Sequence, residues 1–232
     1  DVELKKFDYD YSRNKNIVNE VLKGNTNYGI SHSNLIVDKS NGKKVIALAS
    51  IFQSSPLVLI SLESSGITSL SNIKDKVISL TKSDLGTTSL RAMLASQGFD
   101  INKNNIKEYS FSVDELINKD ADLINVYMSN ELHALDKKGI KYNIFAPKDE
   151  GYDFYSDILF TSYDEYNNNP QRVEKFRMAS LKGWKYAFDN IDEAINIIYE
   201  KYNSQKKTKE ALLYEAHQLK KLAYYKTSEL GE

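Results

Sequence analysis

Short apolar runs alternate with helix-patterned stretches as far as Ser64-Ser65-Gly66, and beyond that turn-rich break the alternation starts over. Strands followed by helices build α/β layers, so two such series in succession predict an α/β chain folded as two lobes. In the first series, strands are expected at 2–7, 28–30, 44–52 and 57–62, with helices at 13–23 and 32–38 and a parallel sheet. In the second, strands at 77–80, 106–111, 122–127 and 142–145 alternate with helices at 86–97, 113–118 and 129–138. Gly98 and Gly139 close two of those helices. A strand at 157–162 then returns toward the first series. From Asn169 the pattern is helical only, with Pro170 in a first turn and a stripe through Val173, Phe176, Leu181, Trp184 and Phe188 that reads as core. Two further helices are expected at 191–202 and 209–225.

Composition removes whole classes of function. Lys and Arg number 31 against 32 Asp and Glu, a net charge of -1, so the basic excess that nucleic-acid binding requires is missing. With no Cys there is no disulfide framework, no thiolate nucleophile and no Cys-ligated metal. His32, His133 and His217 are too scattered for a metal-ligand pattern, and His133 and His217 read as surface or packing residues. No catalytic triad, phosphate loop or cofactor fingerprint is present, so no enzyme activity, metal or cofactor is expected. The longest apolar stretches fall short of the ~20 residues that cross a bilayer. The chain opens on Asp1 rather than Met, so the lack of a leader says nothing of its compartment.

Several strings carry a resemblance. They are Val21-Leu22-Lys23-Gly24 with Tyr28-Gly29-Ile30, then Gly42 through Gln53-Ser54-Ser55-Pro56-Leu57-Val58-Leu59, then Ile73-Lys74-Asp75-Lys76-Val77. Further on come Tyr127 with Asn130-Glu131, Asp153-Phe154-Tyr155-Ser156-Asp157-Ile158-Leu159-Phe160-Thr161, and Phe176-Arg177 with Ser180 through Ala187. Together they resemble the periplasmic substrate-binding proteins of the sulfonate and thiamine-pyrimidine-precursor type. The versions nearest in character are extracytoplasmic sensors of bacterial histidine kinases and diguanylate cyclases.

The resemblance implies a type II periplasmic-binding-protein fold with a ligand cleft between lobes and a helical C-terminal segment. Lobe I would comprise 1–60 and 156–232, lobe II 64–150, with hinge crossings at 60–64 and 150–156. Family members carry a strand and helix ahead of the segment matching 2–7, so lobe I is expected to lack them. The implied role is ligand sensing outside the cytoplasm, in a protein anchored to the inner membrane, with a signalling module on the same chain as partner. The alternative is the soluble component of an ABC importer working with a permease. Fungal relatives use the fold as a pyrimidine-forming enzyme with a cysteine-rich motif, which a chain without Cys lacks.

Ligand crevices in α/β sheets open at the carboxyl ends of strands, which directs attention to a few loops. His32, Ser33 and Asn34 follow a strand at a helix start, where binding competes with simple capping. Gln53, Ser54 and Ser55 lie where one strand ends and the next, read as an interlobe strand, begins, and the Gln53 amide suits either a heterocycle edge or buried hinge backbone. Gly86, Thr87 and Thr88 open a helix whose N–H groups could take an anion or merely be capped. Tyr127, Asn130 and Glu131 pair an aromatic wall with an amide and a carboxylate. Tyr155 and Asp157 sit in the return crossing, with Asp153 just before them. With Lys82 the only basic residue in these loops, the expected ligand is a small neutral or amine-bearing molecule.

Overall fold

A computed structural model describes residues 2–5, 7, 16–81, 87–101 and 105–231. The described elements of the first series are α1 (Ile17–Leu22), β1 (Tyr28–Ser31), α2 (Leu35–Ser40), β2 (Val45–Phe52) and β3 (Leu57–Leu62). The second series holds β4 (Ile78–Leu80), α3 (Thr88–Ser96), β5 (Ile106–Glu108), α4 (Asp114–Ile117), β6 (Leu123–Tyr127), α5 (Glu131–Lys137) and β7 (Tyr142–Phe145). β8 (Ser156–Ser162) returns, and α6 (Tyr163–Asn168), α7 (Pro170–Asp189), α8 (Ile191–Lys201) and α9 (Lys209–Ala223) complete the order. Asn16 caps α1 through its side chain, and Thr208 does the same for α9.

The strands form two sheets, one ordered β1-β8-β2 and the other β5-β4-β6-β3-β7. In the first, β8 lies antiparallel to both neighbours, which corrects the expected parallel sheet. The cause is the path of the chain. β2 leaves at Phe52 and β8 enters at Ser156, and these two residues are paired, so the returning strand has to run the other way. A bulge between Ala47 and Ala49 breaks the β2 register, and the carbonyl of Leu48 accepts from Arg177 Nε at 2.8 Å.

β3 also falls elsewhere than expected. Leu57 through Ser61 pair with β6, and Leu59 through Leu62 with β7, so the strand belongs to the five-stranded sheet and the chain leaves the first sheet at 53–56. Its side chains divide between two cores: Leu57 and Leu59 face the layer of α3 with Leu90, Met93 and Leu94, while Val58 and Ile60 face Leu116 of α4 and Leu132 and Leu135 of α5. A strand buried on both faces reads as an unbroken apolar run, and periodicity cannot say which sheet it joins.

The described residues of 2–7 form no strand, and Val2 and Leu4 are 66% and 86% exposed. Alternation alone does not make a strand without a neighbour to hydrogen-bond. On one side of the first sheet, Val18 and Val21 of α1 and Leu35 of α2 pack on Val45, Ile158 and Phe160. Another cluster joins Ile51 and Phe52 of β2 to Phe188 of α7 and Leu222 and Ala223 of α9. Gly29 is required by close approach: a Cβ there would meet Phe160 Cε1 at 2.7 Å and Ile17 Cγ1 at 2.9 Å.

Candidate functional site

The two segments that cross between the sheets run side by side. Ser54, fully buried in the first crossing, donates its hydroxyl to Asp153 Oδ1 in the second at 2.5 Å. Met128 N–H, just past the end of β6, donates to the carbonyl of Pro56 at 2.9 Å. The ends of β2, β6 and β8 therefore meet around one narrow waist.

On the first-sheet side of that waist, His32 Nδ1 lies 3.2 Å from Ser156 Oγ, and the Ser156 hydroxyl donates to Asp157 Oδ2 at 3.1 Å. Because the hydroxyl proton goes to the carboxylate, the His32 nitrogen serves as donor, and a chain of polarised bonds runs from imidazole to carboxylate. Burial holds His32 below the ordinary imidazole range, against the pull of the Asp157 charge. Burial likewise pushes the Asp157 carboxyl up, against His32 and the Ser156 hydrogen bond. Asp157 also has a left-handed backbone, φ 49°, which Asp tolerates better than most residues and which turns its side chain away from the regular pleat. A half-buried carboxyl with a raised pKa, on a left-handed backbone at a waist, is a candidate binding group.

On the second-sheet side, Glu131 opens α5 and accepts from the backbone N–H of Tyr127 at 2.9 Å. Burial raises its pKa, opposed by backbone hydrogen bonds from Glu131 itself and Tyr127. Asn130 stands at the N-cap of α5 and its side chain makes no capping bond, while its backbone N–H donates to the Tyr127 carbonyl at 2.9 Å and its own carbonyl accepts from His133 N–H at 3.2 Å. Tyr155, in the second crossing, is 52% exposed.

Other candidates are tied into their own loops. Gln53 donates its amide to the Ser50 carbonyl at 3.0 Å and its backbone N–H to Leu222 O, and Ser55 Oγ accepts from Leu57 N–H. Asn34 is buried between Ser31 and Asp38, with Ser33 buried beside it. Thr87 is buried, and its hydroxyl accepts from Arg91 Nε at 3.0 Å; Thr88 begins α3. Gly86, like Lys82, lies outside the described residues. Reading the sequence missed Ser156, although it adjoins Asp157. It also missed Arg91, which one helical turn of spacing from Thr87 would have found.

Among the described residues no group of His, Asp and Glu is arranged to hold a metal, and no helix is long and apolar enough to cross a membrane. A groove of about 1600 Å³ lies away from the waist, between the outer edge of β1, residues 2–5 and Phe176 to Trp184 of α7, and none of the candidate residues lines it.

The curated formylaminopyrimidine-binding protein of Halalkalibacterium halodurans is 22% identical over 167 residues, which cover 71% of this chain. The chain spans about half the length of that relative, 51%. A periplasmic sulfonate-binding protein from Methylobacillus flagellatus superposes with a TM-score of 0.61 at 16% identity, over 93% of this chain and 73% of that one. The alkanesulfonate-binding protein of Xanthomonas axonopodis, bound to MOPS, gives 0.66 at 10% identity over 87% and 69%. The fold is therefore that of the type II periplasmic binding proteins. The family model described as NMT1/THI5 like matches residues 5–194, and on that match the chain belongs to the NMT1/THI5-like family.

Proposed function

We propose that this chain is a non-catalytic domain that closes two lobes around a small neutral or amine-bearing molecule, as the soluble ligand-binding part of an ABC importer outside the cytoplasm. The observation that carries the reading is the half-buried His32–Ser156–Asp157 chain at the waist, in which Ser156 is buried between the two titratable groups. A desolvated carboxyl gains most from a ligand that brings a donor or a positive charge, because an unpaired buried acid is costly. Glu131 on the other side adds a second acceptor. In this arrangement the lobes are the β1-β8-β2 sheet with its helices and the five-stranded sheet with its own, hinged at 53–56 and 151–155. A ligand touching both favours the closed state by its differential affinity for it.

The importer role is supported by the relatives, a formylaminopyrimidine-binding protein and sulfonate-binding proteins, one of them of an ABC transporter. The sensor role, with a signalling module and a membrane anchor, has the sequence resemblance alone behind it. A sulfonate ligand would need cationic partners, and the described cations at the candidate loops are already engaged, Arg91 with Thr87 and Lys226 with Asp153. Binding without turnover is supported by the relatives, which are themselves binding proteins.

Native mass spectrometry of the purified protein tests the reading. A bound small molecule should be released intact on mild denaturation and rebind when returned. Release of a chemically altered product from a supplied aminopyrimidine would replace the binding reading with an enzymatic one.

A further inference from the structure

The helix α9 is fastened at one end and reaches across at the other. Its C-terminal residues Leu222 and Ala223 sit in the core formed with Ile51 and Phe52 of β2, and the Leu222 carbonyl accepts from Gln53 N–H at 3.0 Å, at the start of the first crossing. Its earlier turns meet a helix of the other sheet. The Tyr214 ring stacks on His133 of α5 with centroids 4.7 Å apart and 24° between planes, and Glu210 is ion-paired with Lys137, also on α5. Neighbouring groups on the same contact are themselves held in place, Asp136 by the Tyr142 hydroxyl at 2.8 Å and Glu215 by Lys207 at 2.8 Å.

At 1.5 Å per residue, Tyr214 and Glu210 lie about 12 and 18 Å along the axis from Leu222. A helix anchored at the hinge turns a small rotation of the lobes into a larger separation at its far end. The two sheets therefore cannot swing apart about the waist while both the stack and the ion pair stay made. We propose that α9 is a strap that holds the two lobes together in the ligand-free protein, with the His133–Tyr214 stack and the Lys137–Glu210 pair as its fastening. This rests on the reading that the lobes move about the two crossings. α5 begins at Asn130 and Glu131, so the fastening acts on the helix that presents the second-sheet candidates. A strap of this kind sets how much of the free protein is already closed, and hence how much of a ligand's binding energy goes into closure.

The chain has no Cys, so spin labels can be placed at will. Labels on Asn118→Cys and Lys182→Cys, both exposed and on opposite sides of the waist, report the interlobe distance by double electron–electron resonance. Without any ligand, Tyr214→Ala and Lys137→Glu should each add a longer-distance population absent from the parent. Tyr214→Phe, which keeps the stack, should match the parent, and adding Glu210→Lys to Lys137→Glu should restore the parent distribution. Distributions that coincide with the parent's for both Tyr214→Ala and Lys137→Glu would overturn the proposal. Should Tyr214→Ala fail to melt cooperatively, the exposed charge pair and its swap decide the matter alone. Every one of these arms is ligand-free. A parent whose distance ignores an added aminopyrimidine would count against the proposed function without touching the strap.

Discussion

The hydroxyl of Ser54 donates to Asp153 across 2.5 Å, and that one bond ties together the two stretches of chain that pass between the sheets. Ser54 has no exposed surface, and Asp153 has a second partner in Lys226 Nζ at 3.7 Å. The bond keeps His32, Ser156 and Asp157 within the same small region as Tyr127 and Asn130, because the ends of β2, β6 and β8 all arrive at the paired crossings.

Ser54→Ala should cost about 1.5–3 kcal/mol, the range for a hydrogen bond to a charged acceptor. Chemical denaturation should show a lower midpoint with an unchanged slope, since the cores on either side are untouched. Ligand affinity should fall as well, because the hinge is less well defined. A variant with parental stability and parental affinity would mean that the crossings are held by the sheets alone.

Glu165 makes a second prediction. It is nearly buried and accepts both Arg172 Nε at 2.7 Å and Nη2 at 2.6 Å, with Tyr28, Asn27 and Asn169 also donating. It thereby joins β1, α6 and α7. Arg172 and the other donors hold its carboxyl below the usual range. A depressed carboxyl contributes stability that is present above its unfolded value and lost as pH falls through the folded one. Glu165→Gln should lower stability at neutral pH by about 1–3 kcal/mol, with the difference from the parent shrinking in acid. Melting curves across the acid range check both the size and the sign.

Gly29→Ala should destabilise by roughly 1–3 kcal/mol through overpacking. Its new methyl would press on the Phe160 ring, which is fully buried and cannot swing away. Phe160→Leu in the same chain should recover part of the loss if that contact is the cause. Equal melting temperatures for the parent and Gly29→Ala would show that β1 shifts freely against β8.

Much of this architecture was legible in the sequence, and the gaps have physical causes. The strands of the second series appear close to their expected places because turn residues such as Gly98 and Gly139 bound them on both sides. The described residues of 2–7 alternate like a strand but pair with no other, and β3 reads as first-lobe strand because a doubly buried run carries no mark of its sheet. At the site, His32 was readable as a polar residue after a strand and Asp157 as one in the return crossing. Their connection through Ser156 was not, since it depends on the pairing of Ser156 with Phe52 across the sheet. Gln53 resembled a ligand amide, and its donation to Ser50 follows from a turn too local for pattern reading to resolve.

The waist should also titrate. Asp157, with its pKa raised by burial, contributes stability present below the ordinary carboxylate value and lost as pH rises through the folded value. His32, with its pKa lowered by burial, contributes stability present above the ordinary imidazole value and lost as pH falls through its folded value. Asp157→Asn removes the first effect and suits the left-handed backbone. Its stability relative to the parent should therefore rise with pH through that range, as read by melting temperature at fixed ionic strength. A flat difference would mean that the Asp157 carboxyl is well solvated.

That same substitution separates binding from folding. Calorimetric titration of the ligand-freed protein with an aminopyrimidine should show saturable one-to-one binding that weakens as pH falls through the raised Asp157 value, because a protonated acid cannot pair with a donor-bearing cation. In Asp157→Asn, a fully folded protein, affinity should drop about tenfold or more, the equivalent of a lost charge-assisted hydrogen bond. Unchanged affinity in Asp157→Asn, or preferential binding of an alkanesulfonate by the parent, would contradict the account.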